Sequence, residues 1–496
     1  MPYSSPLPTT TSIPAAAAST VSTPISEEMR ELMPSKPSHQ RLPSLNGRHK
    51  KSTLGQRIAA IPLIYKVIAV ILVLAVIGVV LGVILSKKKH VVANAVYAHF
   101  VVGFVSTYTQ SDWTNDMTLA KQTGIDGFAL NIGTDPWTDQ QLQYAYAAAN
   151  QLGDFKLFIS FDFSAAPDFS DYNTNMVPRL NTYLKDSAAA LYDSGKPIVS
   201  TFSGDSFTSW SSVRALVPAF ELIPFVQAAN IDAVGADGAF QWNSWPSQDN
   251  APIDSTITTT GDETYLSALG GRPYMAGVSP WFFAHYSNTS FNKNYMYLSD
   301  TLLIDRWNEM LTNIKPHLIE LQTWNDFSES HYIGPLHPDN TAVYEGEAST
   351  WVTNMPHDGW RRIIKSYITA YKTGASPVPG SDGESVVMWY RPTPKGLTCT
   401  DPLQPPTGYT FPADSIFAAA ILSSPATLQI CSGDSQCTQT DLAAGINQFA
   451  GPFGAGQPSF KLTRSGQTVL SGTAGLAINT ANCTTYNFNA YVQAWP

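Results

Sequence analysis

Residues 127–164 read GFALNIGTDPWTDQQLQYAYAAANQLGDFKLFISFDFS. Two short apolar runs, at 127–132 and 156–164, flank a segment with helical periodicity. Thr138 can cap the first turn of that helix, and Gly153 can end it. An apolar run, a helix and a second apolar run in this order are typical of a parallel α/β fold.

The same alternation continues along the chain from about residue 98 and predicts eight strands. They lie at 99–105, 127–132, 156–164, 197–204, 220–226, 233–240, 272–281 and 317–324. Helical patterns fit between most of them, including 113–124 and 176–195. Eight strands with intervening helices predict a (β/α)8 TIM barrel over 97–375. A doubly wound open sheet is the alternative, although no glycine-rich nucleotide-binding loop follows any strand.

The pattern of the sequence changes after the barrel. A stretch rich in Pro, Gly and Ser at 376–385 is typical of a linker, and short β-like runs broken by Gly and Pro fill 386–496. We therefore predict a small C-terminal all-β sandwich domain. Within it, Ser465 and Gly466 form the predicted turn of a hairpin.

All four cysteines of the chain lie in this C-terminal region. An even count without a CxxC pair predicts two disulfides rather than a zinc site, and hence an oxidising compartment. Three pairings are possible, and the spacing does not choose among those of Cys399, Cys431, Cys437 and Cys483.

The composition argues against one class of partner. Only 14% of the 496 residues are charged and the net charge is −9. The basic residues cluster only around the apolar run described next, so nucleic acid is not expected as a partner. The 12 Trp, 22 Tyr and 23 Phe residues make the body rich in aromatics. Such a body suits a neutral polar substrate such as a glycan, as it suits many secreted proteins.

An uninterrupted apolar run at 67–85 is long enough to span most of the hydrocarbon core of a bilayer. Lys66 and the lysines at 87–89 bound it sharply. We predict a transmembrane anchor here. A cleaved signal peptide is the alternative, but its apolar region would be shorter and closer to the N-terminus.

The charges around this run predict its orientation. The stretch before it is rich in Lys and Arg, so the N-terminus is expected to be cytoplasmic and the large body extracellular. Residues 1–66, rich in Pro, Ser, Thr and Ala, are predicted to be a disordered cytoplasmic tail. N-glycosylation sequons at Asn288 and Asn482 agree with this placement but arise often by chance.

Asp326 and Glu329 lie three residues apart in WNDFSESHY, just after the eighth apolar run. Splitting a glycosidic bond needs an acid that protonates the leaving oxygen and a carboxylate that activates water or attacks the sugar. In a turn, this spacing directs both side chains to one side. From spacing alone, however, a helix cap at Asp326 with Glu329 in the first helical turn explains the pattern better.

Further polar and aromatic residues gather at the predicted carboxyl ends of strands, where barrel enzymes place their chemistry. The candidates are Asn131, Asp162, Asp205, Asp237, Trp281, Trp324 and His331. Each has a structural alternative. The aspartates can belong to turns or to buried hydrogen bonds, the histidine can be an ordinary core residue, and such tryptophans more often belong to the core than to a sugar-stacking floor.

Several strings taken in order resemble the fungal α-1,3-glucanases, or mutanases, of glycoside hydrolase family 71. They are YAHFVVGFVSTYTQSDWTNDMTLAKQTGIDGFALNIG, KLFISFDFS, VSPWFFAHYS, ELQTWNDFSESHYIGPL and NMPHDGWRRIIKSYITAYK, continued by VMWYRP and YNFNAYV. This ordered set extends over 97–496 and favours catalytic roles for Asp326 and Glu329. The segment 222–246 keeps the family pattern only approximately.

The resemblance implies a barrel with a C-terminal sandwich, no metal or other cofactor, and inverting hydrolysis of α-1,3-glucan. The important acids of the family correspond to Asp162, Asp326 and Glu329. We assign Glu329 as general acid and Asp326 as general base, leave the reverse open, and give Asp162 an orienting role or that of an alternative base. The rival functions are a wall-binding protein without activity and a transglycosylase. Family members are commonly secreted, so the predicted anchor is a departure.

Overall fold

The computed structural model describes residues 94–164, 167–380, 383–433 and 436–496. Eight parallel strands form its main sheet. They are β1 (Val96–Val101), β2 (Gly127–Ile132), β3 (Lys156–Asp162), β4 (Ile198–Phe202), β5 (Glu221–Leu222), β6 (Ala239–Gln241), β7 (Tyr274–Val278) and β8 (Leu318–Leu321). Neighbouring strands follow the order β5-β4-β3-β2-β1-β8-β7-β6. Phe225 forms parallel bridges with Phe202 and Phe240, which close the ring between β5 and β6. The predicted TIM barrel is confirmed, and the open sheet is excluded.

Helices connect the strands at most of the predicted positions. The described helices are α1 (Gln110–Gln122), α2 (Thr138–Leu152), α3 (Tyr172–Asn175), α4 (Val177–Tyr183), α5 (Trp210–Arg214), α6 (Thr260–Leu269), α7 (Leu302–Glu309), α8 (Ser349–Val352) and α9 (Trp360–Thr373). Gly153 ends α2 with φ of 81°, as its sequence position predicts. The helix predicted over 176–195 ends instead at Tyr183, because Ala188 and Ala190 exchange backbone hydrogen bonds with Leu157 on β3.

The interior of the barrel changes character along its axis. One layer near the amino ends of the strands is apolar and includes Tyr97, Ala129, Phe158, Ile198 and Leu318. Since side chains two places apart on a strand share a face, the next layer holds the residues two positions on, which are the buried polar side chains His99, Asn131, Ser160, Ser200 and Glu320. The barrel is therefore sealed by hydrophobic packing at one end and lined with polar groups toward the other.

Two antiparallel four-stranded sheets form the predicted C-terminal sandwich. Their strands are β9 (Ser385–Tyr390), β10 (Ile416–Leu422), β11 (Ala426–Ser432), β12 (Gln436–Leu442), β13 (Gly445–Gly451), β14 (Pro458–Arg464), β15 (Gln467–Thr473) and β16 (Tyr491–Trp495). The sheet orders are β13-β10-β9-β16 and β12-β11-β14-β15. Ser465 and Gly466, both with positive φ, turn β14 into β15 as predicted.

One of these sheets is buried on both faces. Val387, Trp389 and Phe417 pack into the hydrophobic core of the barrel, whereas Val386 and Met388 face the second sheet. The protein therefore has three packed layers at this end: barrel, inner sheet and outer sheet. Its two central strands, β9 and β10, are the uninterrupted apolar runs expected of strands covered on both sides.

Two disulfides join the four cysteines, as predicted. Of the three possible pairings, the structure has Cys399 with Cys483 and Cys431 with Cys437. The second staples the hairpin of β11 and β12 at directly paired positions. The first ties the loop after β9 to the segment that leads into β16.

The prediction of a single-pass membrane protein requires correction. The apolar run 67–85 and the predicted tail 1–66 lie outside the described residues. Within the part of the chain that the structure describes, no helix is long and apolar enough to cross a bilayer. The longest α-helix among the described residues, Thr138–Leu152, has 15 residues, whereas a transmembrane helix needs about 20 apolar residues. The membrane partner and the membrane placement are withdrawn.

Candidate active site

The loop that follows β8 carries Asp326 and Glu329 in a tight turn. The Asp326 amide donates to Thr323 Oγ1 over 2.8 Å, and the Glu329 amide donates to Asp326 Oδ1 over 3.0 Å. Ser328 Oγ donates to the same Oδ1 over 2.7 Å. These bonds orient the Asp326 carboxylate and fix the backbone of Glu329 beside it, at the end of the barrel where TIM-barrel enzymes place their chemistry.

The imidazole of His331 contacts both carboxylates. Its Nε2 lies 3.0 Å from Glu329 Oε2 and 3.5 Å from Asp326 Oδ2. The imidazole is fully buried, and its Nδ1 has no hydrogen-bond partner among the described residues. Because only Nε2 faces acceptors, the tautomer that carries its proton on Nε2 fits this site. The sequence-based choice of His331 thus selected a residue that contacts both acids.

Lys293 supplies the positive charge of the site. It lies on the ribbon 283–296, an antiparallel pair of short strands, and its Nζ forms an ion pair with Glu329 Oε1. The Phe283 amide donates to the Glu329 carbonyl over 3.0 Å, which ties the same ribbon to the turn. Burial acts to raise the pKa of Glu329, but Lys293 and His331 together lower it by more and hold it well below its usual range. Glu329 is therefore ionised in this site.

A third carboxyl group, that of Glu345, is close enough for the charges of this cluster to affect its pKa. Tyr286 on the ribbon donates its hydroxyl to the Glu345 carbonyl oxygen over 2.6 Å. Burial raises the pKa of Glu345 to about 7, with a further upward contribution from the charge of Asp326. Lys293 opposes this shift, and Glu329 adds to it. Neither Glu345 nor Lys293 is predicted from the sequence, since each lies in an irregular segment without a pattern that singles it out.

Asp162 and Asn131 lie together on the rim of the barrel at the ends of β3 and β2. Asn131 Nδ2 donates to Asp162 Oδ2 over 3.2 Å. The amide and the hydroxyl of Ser164 both donate to Asp162 Oδ1, over 2.9 and 2.7 Å. These bonds hold the Asp162 carboxylate at the carboxyl end of its strand, as predicted.

Asp205 and Asp237, by contrast, have structural partners. Asp205 Oδ1 accepts from the Gln227 amide and from Asn230, and so braces the loop after β5. Asp237 accepts from the Leu222 amide over 2.8 Å and pairs with Arg214 over 2.5 Å. Because β6 begins only at Ala239, Asp237 precedes its strand and lies at the amino-terminal end of the barrel. It therefore does not lie at a carboxyl end of a strand, where the substrate site is predicted.

The two tryptophans chosen as a sugar-stacking floor belong to the core. Trp281 is 1% exposed and donates its Nε1 to the Phe488 carbonyl oxygen, and Trp324 is fully buried. A partly exposed aromatic ring near His331 is that of Trp242, just after β6, whose centroid lies 6.3 Å from that of His331. Apolar periodicity could not distinguish a core tryptophan from one in the cleft.

The cluster of Asp326, Glu329 and His331 also has the spacing of a metal site. Their ligand atoms lie within 4.8 Å of one another. The Lys293 ammonium, however, pairs with the same Glu329 carboxylate and supplies a positive charge where a cation would be needed. We therefore interpret the cluster as an acid–base centre, whose carboxyl groups can give and accept protons on a bound molecule.

Comparison with known proteins identifies the family of this chain. The sequence model of glycosyl hydrolase family 71 matches residues 92–496. The chain is 43% identical over 409 residues to a mutanase of Penicillium rubens, which covers 80% of this chain and 88% of that protein. It is 41% identical over 416 residues to a glucan endo-1,3-alpha-glucosidase of Schizosaccharomyces pombe, covering 80% and 93%. An ascus wall endo-1,3-alpha-glucanase of the same yeast is 29% identical over 429 residues, covering 80% and 96%. The chain therefore belongs to glycosyl hydrolase family 71 and is a glycoside hydrolase.

Proposed function

We propose that this glycoside hydrolase cleaves internal bonds of α-1,3-glucan, with Asp326 and Glu329 as its pair of carboxylates. The observation that carries the proposal is the shared hydrogen-bonded turn that brings both acids to one point with His331 and Lys293. The names of the relatives support the substrate, since those proteins act on α-1,3-linked glucan. The partly exposed ring of Trp242 offers a surface on which a glucose unit can stack.

The ion pair with Lys293 bears on the roles of the two acids. The sequence-based assignment makes Glu329 the general acid, which must carry a proton before it can give one. A carboxylate paired with a lysine ammonium stays ionised, so this contact favours the reverse assignment. In that arrangement Glu329 is the base that activates water, and Asp326 protonates the leaving oxygen.

The stereochemistry of the reaction depends on the distance between the acids. The expected inversion needs carboxyl groups about 6.5–9.5 Å apart, so that a water fits between them, whereas retention uses about 5–5.5 Å. One oxygen of Asp326 lies within 4.8 Å of one oxygen of Glu329. We propose inversion, in which the attacking water lies between the two carboxyl groups when glucan is bound.

The test is an assay of the purified chain on insoluble α-1,3-glucan. New reducing ends and short oligosaccharides are expected, and proton NMR of the first products should show the β-anomer if the reaction inverts. An α-anomer would contradict inversion and fit the separation of the acids as it stands. Products longer than the substrate would point to the transglycosylase, and binding without bond cleavage would contradict the proposed activity.

A further inference from the structure

The sequence strings NMPHDGW (354–360) and YNFNAYV (486–492) have no part in the chemistry described above. The first follows the catalytic loop, which is the loop after β8 that carries Asp326 and Glu329. The second leads into β16 at the end of the chain. In the structure they are in contact, since the Val492 amide donates to the Pro356 carbonyl oxygen over 3.0 Å. A Cβ on Gly359 would lie 2.9 Å from a methyl carbon of Val492, so the two segments approach more closely than most side chains would permit.

Asn489 lies at the centre of this contact and is fully buried. Its Nδ2 donates to the Tyr332 hydroxyl over 3.2 Å and to the Trp351 carbonyl oxygen over 3.0 Å. Its Oδ1 accepts from the Ala490 amide and lies 3.0 Å from His357 Nε2. All the hydrogen-bonding groups of this side chain amide are therefore used, and three of its four contacts are outside its own segment.

His357 links Asn489 to Tyr332 in the catalytic loop. Its ring stacks on that of Tyr332 with centroids 3.8 Å apart, and its Nδ1 lies 2.8 Å from the Tyr332 carbonyl oxygen. Tyr332 is the residue after His331, whose imidazole contacts both proposed catalytic acids. Asn489 and His357 thus hold the backbone and the ring of the residue next to His331.

The same C-terminal segment also holds the opposite side of the turn. The Phe488 carbonyl oxygen accepts from Trp281 Nε1 over 3.0 Å, and the Phe488 ring packs against Phe283. Phe283 in turn donates its amide to the carbonyl oxygen of Glu329. Residues on both sides of the acids are therefore anchored to residues 486–490, which the Cys399–Cys483 disulfide ties to the loop after β9.

We propose that Asn489 is a positioning residue for the catalytic loop, so that the C-terminal domain completes the active site of the barrel. This inference rests on the proposed roles of Asp326 and Glu329. Asn489 acts through Tyr332 and His357, which set the place of His331 beside the two acids. A displacement of about 1 Å at a reacting group can cost about 100-fold in rate, so loss of this anchor is expected to lower turnover more than substrate binding.

The test compares N489A with N447A in the full-length chain. Asn447 is the matched control, because its Nδ2 also donates to two acceptors, the carbonyl oxygens of Ala443 and Gly445, but both lie within the sandwich. At a temperature where both variants are folded, N489A is expected to lower kcat on α-1,3-glucan at least tenfold, with KM within about twofold. The acidic limb of its kcat/KM profile should move to higher pH, since His331 lowers the pKa of Glu329. N447A should change neither quantity.

A second variant keeps the inference testable if N489A does not fold. Y332F removes only the hydroxyl that accepts from Asn489 and donates to Met355, and leaves the ring stack on His357 in place. It should lower kcat in the same direction, and in the double variant the two losses should not add. A folded N489A or Y332F with kcat within twofold of wild type would overturn the inference. An inactive wild-type chain would instead reject the proposed function.

Discussion

Asp326 and Glu329 share the partner His331, whereas Asp205 and Asp237 each have partners of their own. His331 lies within 3.5 Å of both acids of the first pair, and a bond within the turn joins one acid to the other. Asp237 instead has Arg214 and a backbone amide, and Asp205 has an amide and an asparagine. An acid whose charge is satisfied by its own neighbours stabilises the fold, while acids that share neighbours affect each other's protonation and can transfer protons.

The largest expected effect lies in the double variant D326N/E329Q. Proton transfer by one group contributes about 10²–10⁴-fold, so each single substitution should lower kcat by at least 100-fold. Because both groups serve one transition state, the double variant should lose little more than the worse single variant. Rates of the three variants on α-1,3-glucan check this, and losses that multiply would show that the two acids act independently.

K293M sharpens the comparison by removing one of the charges that the cluster shares. Removing an adjacent positive charge raises a carboxyl pKa by about 1–3 units, so the pKa of Glu329 should rise in this variant. If Glu329 is the base, activity at low pH is lost and the acidic limb of kcat/KM moves to higher pH, with a fall at pH 4 of up to about tenfold. A move of the alkaline limb alone would show that Glu329 is the acid.

E345Q tests the edge of the cluster, and its effect is expected to be the smallest. The pKa of Glu345 is raised by burial from 4.5 to about 7, so the folded wild type holds a proton that the unfolded chain releases. Its stability should therefore fall as pH rises from 4.5 to about 7. Glutamine imitates the protonated form, so the Tm of E345Q relative to wild type should increase across this window. A constant difference in Tm would contradict the raised pKa.

The strands of the barrel could be predicted from the sequence because parallel strands are covered on both faces. β2 and β3 therefore read as almost unbroken apolar runs between helices. The fifth and sixth strands are the exceptions, with only 2 and 3 residues. Pro224, two residues after β5, has no amide hydrogen to donate to a neighbouring strand, which agrees with the short length of β5. The runs around both strands were apolar because they are buried, and Asp237 was placed inside a strand for that reason.

The candidate site could be predicted only where a local motif carries it. Asp326, Glu329 and His331 lie within six residues of one another, so their spacing and their resemblance to the family were visible together. Lys293 and Trp242 reach Glu329 and His331 from segments 36 or more residues away in the sequence. Their contribution depends on how the ribbon 283–296 and the loop after β8 fold over the barrel, which no local pattern records.

The measurement that tests the account most directly is kcat of E329Q against kcat of D237N on α-1,3-glucan, each at a temperature where the variant is folded. Both substitutions remove one ion-paired carboxylate, at Lys293 and at Arg214. We predict that E329Q loses at least 100-fold in kcat, while D237N lowers Tm and keeps kcat within about twofold of wild type. An E329Q enzyme that keeps more than about a tenth of wild-type kcat would contradict catalysis by the turn after β8.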